Sequence, residues 1–317
     1  MADPSTLRID DKWIRSLRGK KNYTDPDLPY AWSVEPERNM VGKVESTATV
    51  FLTNRECPFA CLMCDLWKNT TDISIPAEQI VNQISGVMNH IDQARHLKLY
   101  NSGNFFDTKA IPENAYIPIA GLVKRFTTLI VESHPKLIND KSIKFKDLLE
   151  PELQVAIGLE TSNPMVLSRL NKQMTLLDFH QATQFLSSHR IPVRAFILLR
   201  PPFLEEKEAV KWAKRSIDFA FDSGVECCVI IPTRGGNGAL EILHEQGYFE
   251  QPEIESLEEV LEYGVGLKAG RVFADLWDIE NFSHCNECLD ARKKRIHEIN
   301  LSQVISERIV CNCQVHR

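Results

Sequence analysis

The sequence predicts an α/β fold, a partial (β/α)6-type TIM barrel with a small C-terminal cysteine-rich, metal-binding extension. Three observations carry that expectation. Short apolar, β-rich runs alternate with amphipathic helical segments over most of the 317 residues, the pattern of βαβ units on a parallel sheet. Six or seven such units can be counted, too few to close an eight-stranded barrel. Seven of the nine cysteines gather in two places, a loop just after the first apolar run and the last stretch of chain.

Residues 1–46 are polar, contain prolines and show no clear periodicity. They are expected to form an N-terminal extension to a barrel spanning 47–280, followed by a cysteine-rich tail at 281–317. "ATVFLT" (48–53) is the first strand. "IPAEQIVNQISGVMNHIDQA" (75–94) then sets Ile80, Ile84, Val87, Met88 and Ile91 on one helical face, with Pro76 near the first turn. Further strands are expected at 96–100, 127–132, 153–160, 193–199 and 225–231, with a possible seventh at 271–277. The clearest helix, 205–224, ends on Gly224, a fitting residue just past a helix end. In such a barrel, reactive groups sit on loops at the C-terminal ends of the strands.

Composition removes some function classes. Hydrophobic residues make up 43% of the chain, enough for a sizeable core, and the net charge of −6 draws it to neither nucleic acid nor an anionic membrane. Local basic runs, Arg15/Arg18/Lys20/Lys21 and Arg292–Arg295, are read as solvated faces, with phosphate contact as the alternative. No run approaches 18 apolar residues and the N-terminus lacks an apolar signal region, so neither membrane nor secretion is expected. A cytoplasmic location follows, in which nine cysteines stay mostly reduced and serve metal binding or catalysis.

"RECPFACLMCDLW" (55–67) holds Cys57, Cys61 and Cys64 without a fourth cysteine nearby. A closed zinc site takes four ligands. A four-iron cubane held by three thiolates keeps one iron open, the mark of a reacting centre. A zinc knuckle or three core cysteines are the plainer alternatives.

The spacing C-x3-C-x2-C, directly after the first strand of a βα series, resembles the radical S-adenosylmethionine (SAM) superfamily. The resemblance implies a 4Fe–4S cluster on Cys57, Cys61 and Cys64 whose open iron is chelated by the amino and carboxylate groups of SAM. It further implies reductive cleavage of SAM to a 5′-deoxyadenosyl radical that abstracts hydrogen from a substrate, with electrons from an external donor. The residue before the last cysteine is often aromatic in the family; here it is Met63, expected to pack near the adenine. "LKLYNSGNFFD" (97–107) stands where the family carries a Gly-Gly-Glu-like turn. Gly103 suits close backbone approach, Asn101 and Ser102 replace the first part, and no glutamate follows directly. By the same likeness, Glu132, Glu160 and Ser162, with Thr161, end strands where relatives bind the ribose or methionyl part of SAM. Solvated loop residues are the alternative. Arg200 is a candidate partner for a carboxylate, or a surface ion pair. "IPTRGGNGALEI" (231–242) lacks the lysine spacing of a P-loop, and its glycines and Arg234 are expected to approach substrate. Which residue catalyses hydrogen transfer is not legible.

The tail holds Cys285 and Cys288, then Cys311 and Cys313, two close pairs that satisfy the count of a closed four-cysteine zinc site. An auxiliary iron–sulfur cluster is the alternative, and His284 and His316 are spare ligands. Cys227 and Cys228 lie in an apolar strand and read as inert core. "IVESHP", "VAIGLETSNPMVLSRLNKQMT" and "CNECLDARKKRIHEIN" resemble one branch of the superfamily, the archaeosine synthase radical subunit (RaSEA-like proteins) and, more distantly, the Elongator catalytic subunit. That likeness implies a tRNA or modified-nucleoside substrate and a partner subunit that supplies phosphate contacts. A radical enzyme acting on another small molecule, or a non-catalytic iron–sulfur or zinc scaffold or sensor, remain the alternative readings.

Overall fold

The computed structural model describes residues 7–311. Eight strands form one sheet in sequential order: β1 (Ala31–Arg38), β2 (Val44–Phe51), β3 (His96–Tyr100), β4 (Thr128–Ser133), β5 (Glu152–Glu160), β6 (Val193–Leu199), β7 (Cys227–Pro232) and β8 (Arg271–Ala274). From β2 onward every neighbouring pair is parallel. This is the expected α/β partial barrel, curled and open, with β1 and β8 as its edges.

Among the described residues ten α-helices connect and cover the sheet. They are α1 (Asp11–Ser16), α2 (Ala77–Val87), α3 (Tyr116–Val123), α4 (Asp140–Leu148), α5 (Pro164–Arg169), α6 (Leu176–Ser188), α7 (Glu206–Asp222), α8 (Ala239–Glu245), α9 (Ile254–Leu267) and α10 (Asn286–Ser302). One face of each strand packs on these helices. Ala48, Val50, Leu97, Leu99, Leu129, Val131, Val155 and Ile157 are fully buried against residues such as Ile80 and Ile84 of α2, the period-2 pattern of a half-covered strand. α2 stops at Val87, so Met88, read from sequence as part of its face, becomes its C-cap. Gly224 follows α7 with φ of +91°, as expected of a residue past a helix end.

The segment that the sequence leaves without an assigned element carries α1 and β1. β1 pairs antiparallel with β2 from Ala31↔Phe51 to Arg38↔Val44. Its turn is set by Asn39, whose side-chain oxygen accepts from Val41 and Lys43 N–H at 3.1 and 2.9 Å. β1 escapes periodicity because it is an edge strand with Pro36 inside and little burial on either face.

At the N-terminal end of the barrel the interior is charged. Glu37 of β1 meets Arg194 of β6 at 2.6 Å and also Lys98 of β3. Burial pushes the Glu37 carboxyl up, but Arg194 and Lys98 outweigh it and hold it well below the usual carboxylate range. Above this layer the wall turns aromatic, with Tyr100 edge-on to Phe196 at 6.1 Å and to Phe51 at 6.2 Å.

α10 spans the gap between the sheet's edges, packing on both β1 and β8. Its side-chain amides stand in for the missing strand. Asn300 accepts from Ala274 N–H at 2.9 Å and donates to Ala274 C=O at 2.8 Å, and Gln303 does the same for Val272, both at 2.8 Å. An edge that would otherwise offer bare ladder groups is thereby closed. Among the described residues no helix is long and apolar enough to cross a membrane.

Candidate functional site

The loop carrying Cys57, Cys61 and Cys64 leaves the C-terminal end of β2. A parallel bridge, Arg55↔Thr71, and the bonds Thr71 N–H to Asn54 C=O (2.9 Å) and Glu56 N–H to Thr71 C=O (3.1 Å) tie its two ends together. Its tip is held by three bonds from two other places. Leu62 N–H donates to Leu170 C=O at 2.9 Å, Asn171 Nδ2 to Ala60 C=O at 2.8 Å and Asn237 Nδ2 to Leu62 C=O at 2.6 Å. Ala60 and Leu62 are fully buried in a second apolar cluster with Ile14 of α1, Leu170 and Leu240.

Glu56, the neighbour of Cys57, receives three cations from the N-terminal segment: Arg15 and Arg18 at 2.7 Å and Lys21 at 2.9 Å. Burial alone would raise its carboxyl; the bonds from Lys21 and Arg18 bring it below the usual range. The run read from sequence as a solvated face is therefore a clamp on the cysteine loop. Lys20 alone of that run makes no contact with Glu56; Arg15 pairs with it while staying exposed.

Burial pushes all three thiols up, Cys64 to about 12, while Lys172 (for Cys57 and Cys61) and Arg18 (for Cys64) pull only partly the other way. Three soft donors held on one braced loop, poor in compensating positive charge, suit an iron–sulfur core, which supplies that charge itself and takes thiolate ligands. Beside them Gly103 leaves room that a side chain would take. A Cβ there would lie 3.3 Å from the Asn101 carbonyl oxygen and 3.7 Å from Cys57 Cβ.

The other candidates end neighbouring strands. Glu132 of β4 does not project freely; its carboxylate accepts from Asn101 N–H at 2.7 Å and from Gly103 N–H, and so shapes the turn after β3. Burial still lifts it to about 7. The Asn101 side-chain amide is fully buried with no partner among the described residues. Ser102 donates to the Tyr30 hydroxyl at 3.1 Å. Ser102, Glu160 and Arg200 share a property invisible in sequence: φ is +43°, +65° and +53°. Such non-glycine turns gather where a site imposes its own backbone.

Glu160 forms a buried ion pair with Lys172, side chains 9% and 8% exposed. Burial disfavours the Lys172 ammonium, but Glu160 and Cys61 hold its pKa above the ordinary value. Ser162 is anchored on α7, its N–H donating to Ser216 Oγ at 2.7 Å. Arg200 is drawn outward, bonded to Glu206 at 2.7 Å and to Glu250, the ion-pair alternative. Met63 packs against the cluster around Leu62. Arg234 is engaged by Asp275 at 2.8 Å, and Gly238 (φ +89°) meets the chain after α1, where a Cβ would overlap Leu17 backbone.

Sequence reasoning misses Lys172, Asn104, His134 and Phe59. Phe59 stacks on the buried His134 ring at 3.9 Å, and Asn104 donates to Cys57 Sγ at 3.1 Å. The signal for Lys172 was the motif "LNKQM", twelve residues after Glu160 and separated from it by α5.

In the tail, the Sγ atoms of Cys285, Cys288 and Cys311 all lie within 4.8 Å of one another. Cys313 and His316 lie outside the described residues. The expectation that Arg292 and Arg295 present charge to phosphate is corrected. Arg292 binds Glu258 at 2.7 Å and Glu255 at 2.9 Å, and Arg295 binds Glu262 at 2.6 Å and Glu258 at 3.2 Å, fastening α10 to α9. Cys227 and Cys228 are fully buried with thiols pushed up by burial, as expected of inert core.

No family model matches the chain. It is 23% identical to an uncharacterized protein of Methanocaldococcus jannaschii over 93% of this chain and 87% of that one. It is 25% identical to the archaeosine synthase subunit beta of Methanosarcina acetivorans over 69% of this chain and 67% of that one. Among solved structures it shares the fold of methylornithine synthase (TM-score 0.54, 11% identity, 94% of this chain and 82% of that one). It also shares that of the Elp3 of Methanocaldococcus infernus (TM-score 0.53, 16% identity, 80% and 63%).

Proposed function

We propose that this chain, related in sequence and fold to the radical SAM superfamily on the branch of archaeosine synthase and Elongator proteins, cleaves SAM reductively and acts on a modified nucleoside in tRNA. The observation that carries the reading is the braced loop of three half-buried thiols at the C-terminal edge of an open parallel barrel. Cys57, Cys61 and Cys64 would hold the 4Fe–4S cluster, which when bound supplies the electron that breaks the sulfonium C–S bond of SAM.

The protein's own contribution is orientation and exclusion of water. Lys172 and Glu160 offer one positive and one negative head group beside Cys61, a match for the carboxylate and ammonium of a zwitterionic methionyl group. Glu132 fixes the Asn101–Gly103 turn so that backbone, not side chain, faces the cofactor. Phe51, Tyr100 and Phe196 contribute a cluster of aromatic rings on neighbouring strands of the barrel. At a net charge of −6, the phosphate contacts for a tRNA come from a partner subunit, in keeping with the "subunit beta" in the relative's name. The tail cysteines Cys285, Cys288 and Cys311, with Cys313, are read as the ligands of a zinc site at the start of α10.

The test is anaerobic reconstitution with iron and sulfide, then detection of 5′-deoxyadenosine from SAM and dithionite. About four irons per chain and product formation, both lost in Cys57→Ala, are expected. Iron binding without product would favour a scaffold or sensor instead.

A further inference from the structure

Asn104 lies in the turn after β3, directly after Gly103, and its surroundings specify what its amide does. The side chain is 2% exposed. Its Oδ1 accepts from the His134 backbone N–H, a group that can only donate, so the amide orientation is determined: Nδ2 must point the other way. That way lies Cys57 Sγ, at 3.1 Å.

The acceptor side is itself immobile. The His134 ring stacks on Phe59, between Cys57 and Cys61, with planes 19° apart. Its Nδ1 accepts from Lys136 N–H at 3.1 Å, so Nε2 carries the hydrogen given to Lys172 C=O at 2.8 Å. Burial keeps the ring neutral, with its pKa lowered to about 3. Asn104 therefore cannot turn its amide without orphaning a buried N–H.

We infer that Asn104 is a positioning residue that orients Cys57 as a ligand and raises the reduction potential of the metal centre. This rests on the cluster assignment above. A hydrogen bond to a ligating thiolate withdraws charge from sulfur and stabilises the reduced, more negative state of a cluster relative to the oxidised one. Without the donor the centre is harder to reduce.

The experiment compares reconstituted wild type, Asn104→Asp and Asn104→Leu by iron content and by the EPR signal of the reduced cluster over a series of poised potentials. Asn104→Asp keeps the acceptor for His134 N–H while replacing the donor by a carboxylate oxygen. At a fixed potential, its reduced fraction relative to oxidised should fall at least tenfold, or 59 mV for a one-electron couple. Asn104→Leu should shift in the same direction by less. Unchanged reduced fractions at full iron content in both variants would overturn the inference. So would loss of iron from both with an unchanged circular dichroism spectrum, which leaves a ligand-holding role and no effect on potential. Absence of iron in reconstituted wild type would instead refute the cluster assignment.

Discussion

Replacing Lys172 by Met should destabilise the protein far more than a surface ion pair would. Both head groups of the Glu160–Lys172 pair are over nine-tenths buried, and Gly158 makes the space, since a Cβ there would fall on the carboxylate and the ammonium. Removing one member of a buried pair leaves the other charge uncompensated, at a cost of about 3–5 kcal/mol. For 317 residues, an unfolding entropy of roughly 2.1 cal/mol/K per residue turns that cost into a fall in Tm of about 4–8 °C. The Lys172→Met/Glu160→Gln double variant removes the stranded charge and should recover about 2 kcal/mol, or roughly 3 °C. Thermal unfolding of the metal-free protein followed by circular dichroism measures both. A single variant within about 1.5 °C of wild type, or a double variant no better than the single, would refute the reasoning.

Gly103→Val should lower both iron loading and SAM affinity, because its side chain would crowd Asn101 and push on Cys57; isothermal titration with SAM that matches wild type would move the site elsewhere. Glu132 carries the clearest pH signature. Its folded pKa of about 7 exceeds the ordinary 4.5, so between these values the folded state binds a proton that the unfolded chain does not, and stability should decline as pH rises across that window. Glu132→Gln should flatten the decline in urea midpoints between pH 5 and 7.5, and an unaltered slope would assign it to another group. Cys285→Ala/Cys288→Ala should lose about one zinc per chain while leaving SAM cleavage intact, whereas eight irons per chain in the parent would indicate a second cluster.

The sequence by itself determined what local information can encode. The alternation of strand and helix placed seven parallel strands close to where they lie, and the spacing of Cys57, Cys61 and Cys64 marked the loop after the first of them as the candidate centre. That Glu132, Glu160 and Gly103 lie at or just past strand ends was legible because strand ends recur at predictable places in such a barrel. What the tertiary structure decided depends on residues far apart in sequence. Arg15, Arg18 and Lys21 read as a solvated run until folding set all three on Glu56. Arg292 and Arg295 read as a solvated face, with phosphate contact as the alternative, until α10 docked on α9 and buried them. The motif around Lys172 was visible but its role was not, because that role arises from a carboxylate across α5 and a thiol loop more than a hundred residues upstream. Charge run and motif report composition along the chain, whereas ion pairing in a low-dielectric interior is settled by packing. The same holds for the barrel's open edge: a helix offering Asn300 and Gln303 in place of a ninth strand has no periodicity to read. It satisfies the ladder groups of β8 only because α10 lies against that edge.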